Sequence, residues 1–140
     1  MRKVAVVYWS GTGNTASMAN AISAGAEAAG AEVTVMYPRK FSADELANYD
    51  AVAFGCPSMG AEVLEEYEFE PMFADCEGAL SGRKIALFGS YGWGDGQWMR
   101  EWENRCRAAG AVLVGDSVIC SGRPTVRKTE QCKELGALLA

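Results

Sequence analysis

The stretch Val4-Ala5-Val6-Val7-Tyr8-Trp9-Ser10-Gly11-Thr12-Gly13-Asn14-Thr15 begins as a nearly continuous apolar run and ends in glycines and hydroxyl residues. Apolar residues at consecutive positions are what a strand covered on both faces requires, because its side chains alternate between the two sides of the sheet. From Asn14 to Ala29 the spacing becomes helical. Met18, Ile22 and Ala26 recur every fourth residue as one stripe, and Gly30 is placed to stop the helix. Strand, tight loop and helix in that order make the first βα unit of a parallel sheet.

Strand-like runs and helical periodicity keep alternating along the chain. Glu32 to Met36 alternates polar and apolar as an edge-side strand, while Ala51 to Gly55 and Lys84 to Phe88 read as buried strands. Gln97 to Ala109 is helical and stopped by Gly110. Ala111 to Cys120 supplies a last strand, and a C-terminal helix follows from about Thr125. Between Met59 and Gly78 the glutamates 62, 65, 66, 68 and 70 crowd together ahead of Pro71, and we read a turn, a loop and then a helix. The expectation is a single three-layer, doubly wound α/β domain over residues 1–140, with five parallel strands and four or five helices.

Composition narrows the chemistry. The 140 residues carry 13 Lys+Arg against 18 Asp+Glu, a formal net charge of -5, which disfavours a nucleic-acid partner because phosphate backbones are met with surplus cations. Histidine is absent, which removes His-ligated metal sites, the Ser-His-Asp triad and the commonest general base. Cys56, Cys76, Cys106, Cys120 and Cys132 are odd in number and include no C-x-x-C pair, so a reduced, cytoplasmic protein is expected. The opening Met1-Arg2-Lys3 and the short apolar run after it read as a strand and not a signal peptide, and no apolar stretch approaches the roughly 18 residues of a membrane span.

Three loops carry chemistry. Ser10 to Thr15 sits at a strand-to-helix junction, where glycines let backbone N–H groups converge, hydroxyls add donors and the helix terminus favours an anion. It holds no Lys or Arg, so it is not the G-x-x-x-x-G-K-[ST] loop, and the G-x-G-x-x-G fingerprint is also missing. On this loop alone, a tight turn that merely caps the helix stays open. Pro57-Ser58-Met59-Gly60-Ala61-Glu62 and Ser90-Tyr91-Gly92-Trp93-Gly94-Asp95-Gly96 follow the next two buried strands and reach the same sheet edge, where parallel sheets bind ligands. A thioether at Met59 and an indole at Trp93 on opposite loops suit a planar, phosphorylated ligand, with local core-filling as the other reading of each. The glycines around Trp93 speak against core-filling there.

The segments Trp9 to Thr15, Gly60 to Glu66 and Phe88 to Gly96 together resemble the flavodoxins, in particular the short-chain type of anaerobic bacteria, in the same order and over nearly the whole chain. The resemblance implies strand order 2-1-3-4-5, FMN as cofactor and one-electron transfer at low potential. It implies a phosphate loop from Ser10 to Thr15, with Thr12, Asn14 and Thr15 among its donors and Trp9 beside it. Met59 would take the inner flavin face and Trp93 the outer, with Glu62 accepting from the ring N3–H. The Gly60 carbonyl would turn toward flavin N5 on arrival of the first electron, stabilising the neutral semiquinone. A type II′ turn with positive φ at Gly60 fits that role. Ala61 departs from the Asp or Ser common in such relatives. The cofactor-binding set is thus Trp9, Ser10, Gly11, Thr12, Gly13, Asn14, Thr15, Pro57, Ser58, Met59, Gly60, Ala61, Glu62, Ser90, Tyr91, Gly92, Trp93 and Gly94, with no catalytic residue and no metal.

Glu62, Glu65, Glu66 and Asp95 would place like charge around the anionic, fully reduced cofactor and lower the second potential. For Glu65, Glu66, Glu68 and Glu70 a simple solvated surface is the competing reading, expected of at least two of them. The function expected is a monomeric carrier between basic redox partners, reductase donors and oxidoreductase acceptors, with no membrane or nucleic-acid role. An FMN-dependent quinone- or azo-type reductase is the alternative, but it needs a substrate platform over the ring where Trp93 would lie. A receiver-like signalling domain would need clustered acids after the first strand, where Ser10 stands.

Overall fold

A computed structural model describes residues 1–140. The elements run β1 (Lys3–Tyr8), α1 (Asn14–Ala28), β2 (Glu32–Met36), 3₁₀ turns at Pro38–Lys40 and Ala43–Asn48, β3 (Ala51–Gly55), α2 (Phe69–Glu77), β4 (Lys84–Tyr91), α3 (Gln97–Ala108), β5 (Val112–Leu113), β6 (Val118–Ser121) and α4 (Val126–Leu139). All sheet pairings are parallel in the order β2-β1-β3-β4-β5, with β6 pairing further along β4.

The period-2 alternation of β1 divides the interior. Val4 and Val6 face α1 and α4 with Met18, Ile22, Ala26, Cys132 and Leu135. Ala5 and Val7 face the opposite layer, which holds Phe54, Phe69, Phe73, Trp98 and Trp102. The Met18, Ile22 and Ala26 stripe is completely buried, and Gly30 and Gly110 take positive φ where α1 and α3 end. At the edge, β2 begins to alternate, with Glu32 and Thr34 exposed and Val33 half-buried, but the expected alternation fails at its end, where Val35 is exposed and Met36 half-buried.

Two boundaries differ from the sequence reading. The stretch 111–120 is not one strand: β5 pairs with Lys84 and Ile85, β6 pairs with Phe88 to Tyr91, and after the Val114 N–H has donated to Ile85 O the chain leaves the ladder around Gly115 at φ +72°. In addition, β4 runs past Phe88 to Tyr91, so Ser90 and Tyr91 are held in the sheet and not in a loop. No helix is long and apolar enough to cross a membrane.

Register positions the site. Tyr8 pairs with Gly55 and Gly55 with Phe88, so the chain leaves β1 and β3 level with each other at one edge while β4 projects beyond them.

Candidate functional site

The first loop is knotted by Ser10, whose Oγ accepts from the amides of Gly13 at 3.1 Å and Ala16 at 3.2 Å. Gly13, at φ +96°, then turns the chain into α1. The amides of Gly11, Thr12, Asn14 and Thr15 find no acceptor anywhere in the protein. Unpaired amides crowded at a helix N-terminus are an anion site in the absence of any side-chain cation. Thr12 and Asn14 line the crevice beside them, whereas the Thr15 hydroxyl is buried and meets Ser90 Oγ at 2.9 Å. Thr15 therefore offers the crevice its amide and not its hydroxyl. Trp9 covers the loop: a Cβ on Gly11 would lie 3.1 Å from its ring, and its indole N–H donates to Glu68 at 3.1 Å.

The second loop is pinned to β4 by Cys56 N–H donating to Phe88 O at 3.1 Å and Ser58 N–H to Ser90 O at 2.9 Å. Met59 and Val63 then exchange both backbone hydrogen bonds, at 2.8 and 2.9 Å. This closes Gly60-Ala61-Glu62 as a three-residue loop in place of the expected four-residue type II′ turn. Gly60 does take positive φ, +51°, and so does Glu62 at +57°, the one non-glycine residue that does. A Cβ at Gly60 would meet no protein atom within 4 Å, so within the protein itself only its conformation calls for glycine. Gly94 differs, because a Cβ there would stand 2.5 Å from Glu62 Oε1. The third loop thus lies directly on the Glu62 carboxylate. Met59 is 37% and Trp93 63% exposed, so neither fills the core.

The acidic side chains do different jobs. Glu65 is buried and accepts from the amides of Tyr67, Glu68 and Phe69, each at 2.8 Å, capping the start of α2. Glu70 and Glu77 hold Arg105, and Asp95 is paired with Arg100 at 3.0 Å. Of the four charges expected around the cofactor, Glu65 is turned to backbone and Asp95 is offset, leaving Glu62 and exposed Glu66. Of the four glutamates weighed as solvated surface, Glu66 fits that description fully. The rim is also not uniformly acidic, since exposed Arg123 and Arg127 follow Gly122 with no carboxylate partner. Burial pushes the Cys56 thiol, next to the crevice-lining Pro57, well above its ordinary pKa, which disfavours its thiolate.

The three loops enclose a crevice of about 210 Å³ lined by Trp9, Gly11, Thr12, Asn14, Pro57, Ser58, Met59, Ser90, Tyr91, Gly92 and Gly122. Ser10 and Gly13 shape the first loop from behind. Gly60, Ala61 and Glu62 continue the lip beyond Met59, and Trp93 and Gly94 continue it beyond Gly92. None of these seven, and not the Thr15 hydroxyl, is part of the crevice wall itself. Sequence reasoning missed Gly122 and Glu68. The signal for Gly122 was Gly122-Arg123-Pro124 after the last strand, since every parallel strand must deliver its following loop to this edge.

An anion nest without a cation, an open slot above it and exposed Met59 and Trp93 at its mouth define an α/β domain that binds a mononucleotide with a planar ring. The chain matches the flavodoxin family over residues 6–136. It is 44% identical to a flavodoxin of Megasphaera elsdenii over 98% of both chains and 45% identical to one of Clostridium beijerinckii over 96% of this chain and 97% of that one. The solution structure of two-electron reduced M. elsdenii flavodoxin superposes with a TM-score of 0.89, covering 97% of each chain. The chain belongs to the flavodoxin family, and is an FMN-binding electron carrier and not an enzyme.

Proposed function

We propose that FMN is held with its phosphate on the amides of Gly11, Thr12, Asn14 and Thr15, assisted by the side chains of Thr12 and Asn14, and with its ring between Met59 and the Trp93 loop. The observation that carries this reading is the set of unpaired amides at the start of α1 with no Lys or Arg in the loop. When bound, FMN supplies the one-electron chemistry. The chain binds, orients and shields it. The amides meet the phosphate with dipoles and no side-chain counter-ion, so the bound phosphate adds its negative charge to the chain's formal -5. Neither Glu62 oxygen has a hydrogen-bond partner in the protein and only Oε1 is buried, which leaves Oε2 to accept from the ring edge. At Gly60, where φ is already positive and no neighbour crowds Cα, the backbone is free to present its carbonyl to the ring.

The carrier would work as a cytoplasmic monomer between redox proteins. Glu62, Glu66 and Glu68 on one side of the crevice favour basic partner surfaces, with association that weakens as salt is added. The purified protein should show a flavin absorbance spectrum and no direct oxidation of NADH. A colourless preparation that takes up no FMN, or steady NADH oxidation, would overturn the reading.

A further inference from the structure

Only two buried side-chain polar atoms in the molecule lack a hydrogen-bond partner: Glu62 Oε1, an acceptor, and Trp102 Nε1, a donor. Glu62 and Trp102 line the same cavity, about 180 Å³, which shares no lining residue with the crevice. Trp102 is 2% exposed, and its indole is fixed edge-to-face against Phe69 and Phe73 at 5.4 and 5.7 Å. The other polar groups around the cavity are already engaged. Arg105 is held by Glu70 and Glu77, Glu101 accepts from Gln97, and the Trp98 N–H donates to Cys56 O. Buried donors and acceptors in folded proteins are met by protein or by ordered water. A cavity with one unmet donor and one unmet acceptor suits a molecule that both accepts and donates.

We infer that a bound water accepts from Trp102 Nε1–H and donates to Glu62 Oε1, making Trp102 a positioning residue for the Glu62 carboxylate. The inference rests on the proposed placement of Glu62 against the cofactor ring. Glu62 sits at φ +57°, its carboxylate lies on Gly94, and its Oε2 remains open. Without a hold on Oε1, the side chain could turn about its terminal torsion and its open oxygen would lose direction. With the hold, α3 of the packed interior sets the orientation of a carboxylate on an exposed loop.

Two measurements on the FMN-loaded protein test this. In ¹⁵N-labelled protein, the indole N–H assigned through a Trp102→Phe variant should show a cross-relaxation peak to long-lived water. An indole N–H with no such peak would overturn the bridge. The dissociation constant of FMN is then measured for Trp102→Phe, Glu62→Ala and the double variant. Trp102→Phe should weaken binding about threefold to tenfold in the parent and less than about twofold when Glu62 is already Ala, the coupling expected of residues sharing one partner. Equal effects in both backgrounds would make Trp102 a packing residue and overturn the positioning role. If Glu62→Ala alone left FMN binding unchanged, the placement of Glu62 against the ring would fail, and the positioning role with it, whatever the water peak showed.

Discussion

Thr15 Oγ1 lies 2.9 Å from Ser90 Oγ, and the Ser90 amide donates to the same Thr15 oxygen at 3.3 Å. The pair joins the first turn of α1 to the end of β4, and both residues are buried. The helix terminus that carries the anion nest is therefore fastened to the strand that carries the third loop. Thr15→Val keeps the shape but leaves the Ser90 N–H and hydroxyl short of a partner in the interior. It should lower unfolding stability by about 1–3 kcal/mol, the usual cost of an unmet buried polar group. FMN affinity should change less, because the valine retains the backbone amide. Urea denaturation of the cofactor-free variant and FMN titration check the two halves. A stable variant that had lost FMN would show that the Thr15 hydroxyl serves the ligand directly.

Trp93 is exposed at the mouth of the crevice, on a loop with glycine at 92, 94 and 96. Its indole emission should be strongly quenched when FMN binds, through stacking on the ring. Trp9 lines the crevice and contributes quenching of its own, so the comparison is between the parent and Trp93→Phe during titration of the cofactor-free protein. Identical quenching in the two would remove the stacking role.

At Gly60 no protein atom crowds the Cβ position, so packing within the protein does not call for glycine, and the positive φ or close approach of the ring does. Gly60→Ala should cost roughly 1–2 kcal/mol in states that keep this backbone left-handed. If presentation of the carbonyl to the ring accompanies the first electron, the variant's first reduction potential falls by more than its oxidised FMN affinity. Spectroelectrochemical titration together with binding of oxidised FMN decides it. An unchanged first potential with lost affinity would assign the glycine to the oxidised complex alone.

Burial raises all five cysteine thiols, with Cys76, Cys106 and Cys132 pushed up to about 12 from an ordinary 9.0. A thiol that stays protonated in the fold but ionises in the unfolded chain gives the unfolded state fewer protons, so stability falls as pH rises. The loss begins near the ordinary thiol pKa and runs up to about 12, with a slope of at most about 1.4 kcal/mol per pH unit for each thiol. Melting temperature should therefore drop above about pH 9, and Cys→Ser or Cys→Ala changes at these positions should flatten the drop. A melting temperature level to pH 11 would contradict the burial of these groups.

Much of this arrangement was legible because it follows from periodicity. The apolar run at Val4 to Tyr8 and the fourfold spacing of Met18, Ile22 and Ala26 each admit one solution in a covered parallel sheet. What the sequence could not show depends on which neighbour a side chain finds. Thr15 looks like any hydroxyl of a phosphate loop until β4 extends far enough to bring Ser90 against it. Glu65 looks like one more surface acid until the chain turns back and offers it three amides. The break between β5 and β6 was hidden because residues 111–120 carry strand-forming side chains on both sides of Gly115 and Asp116. The three-residue loop at Gly60 was missed because pairing of Met59 with Val63 is a long-lever choice between turn types that one glycine does not decide.

The central claim is that a phosphate dianion is held here by amides and hydroxyls alone, and calorimetry of the cofactor-free protein with FMN and with riboflavin tests it directly. Riboflavin offers the same ring but leaves the amides of Gly11, Thr12, Asn14 and Thr15 without their anion. The account predicts that FMN binds tighter by roughly two orders of magnitude or more, the scale of several charge-assisted hydrogen bonds. Equal affinities for the two ligands would contradict it.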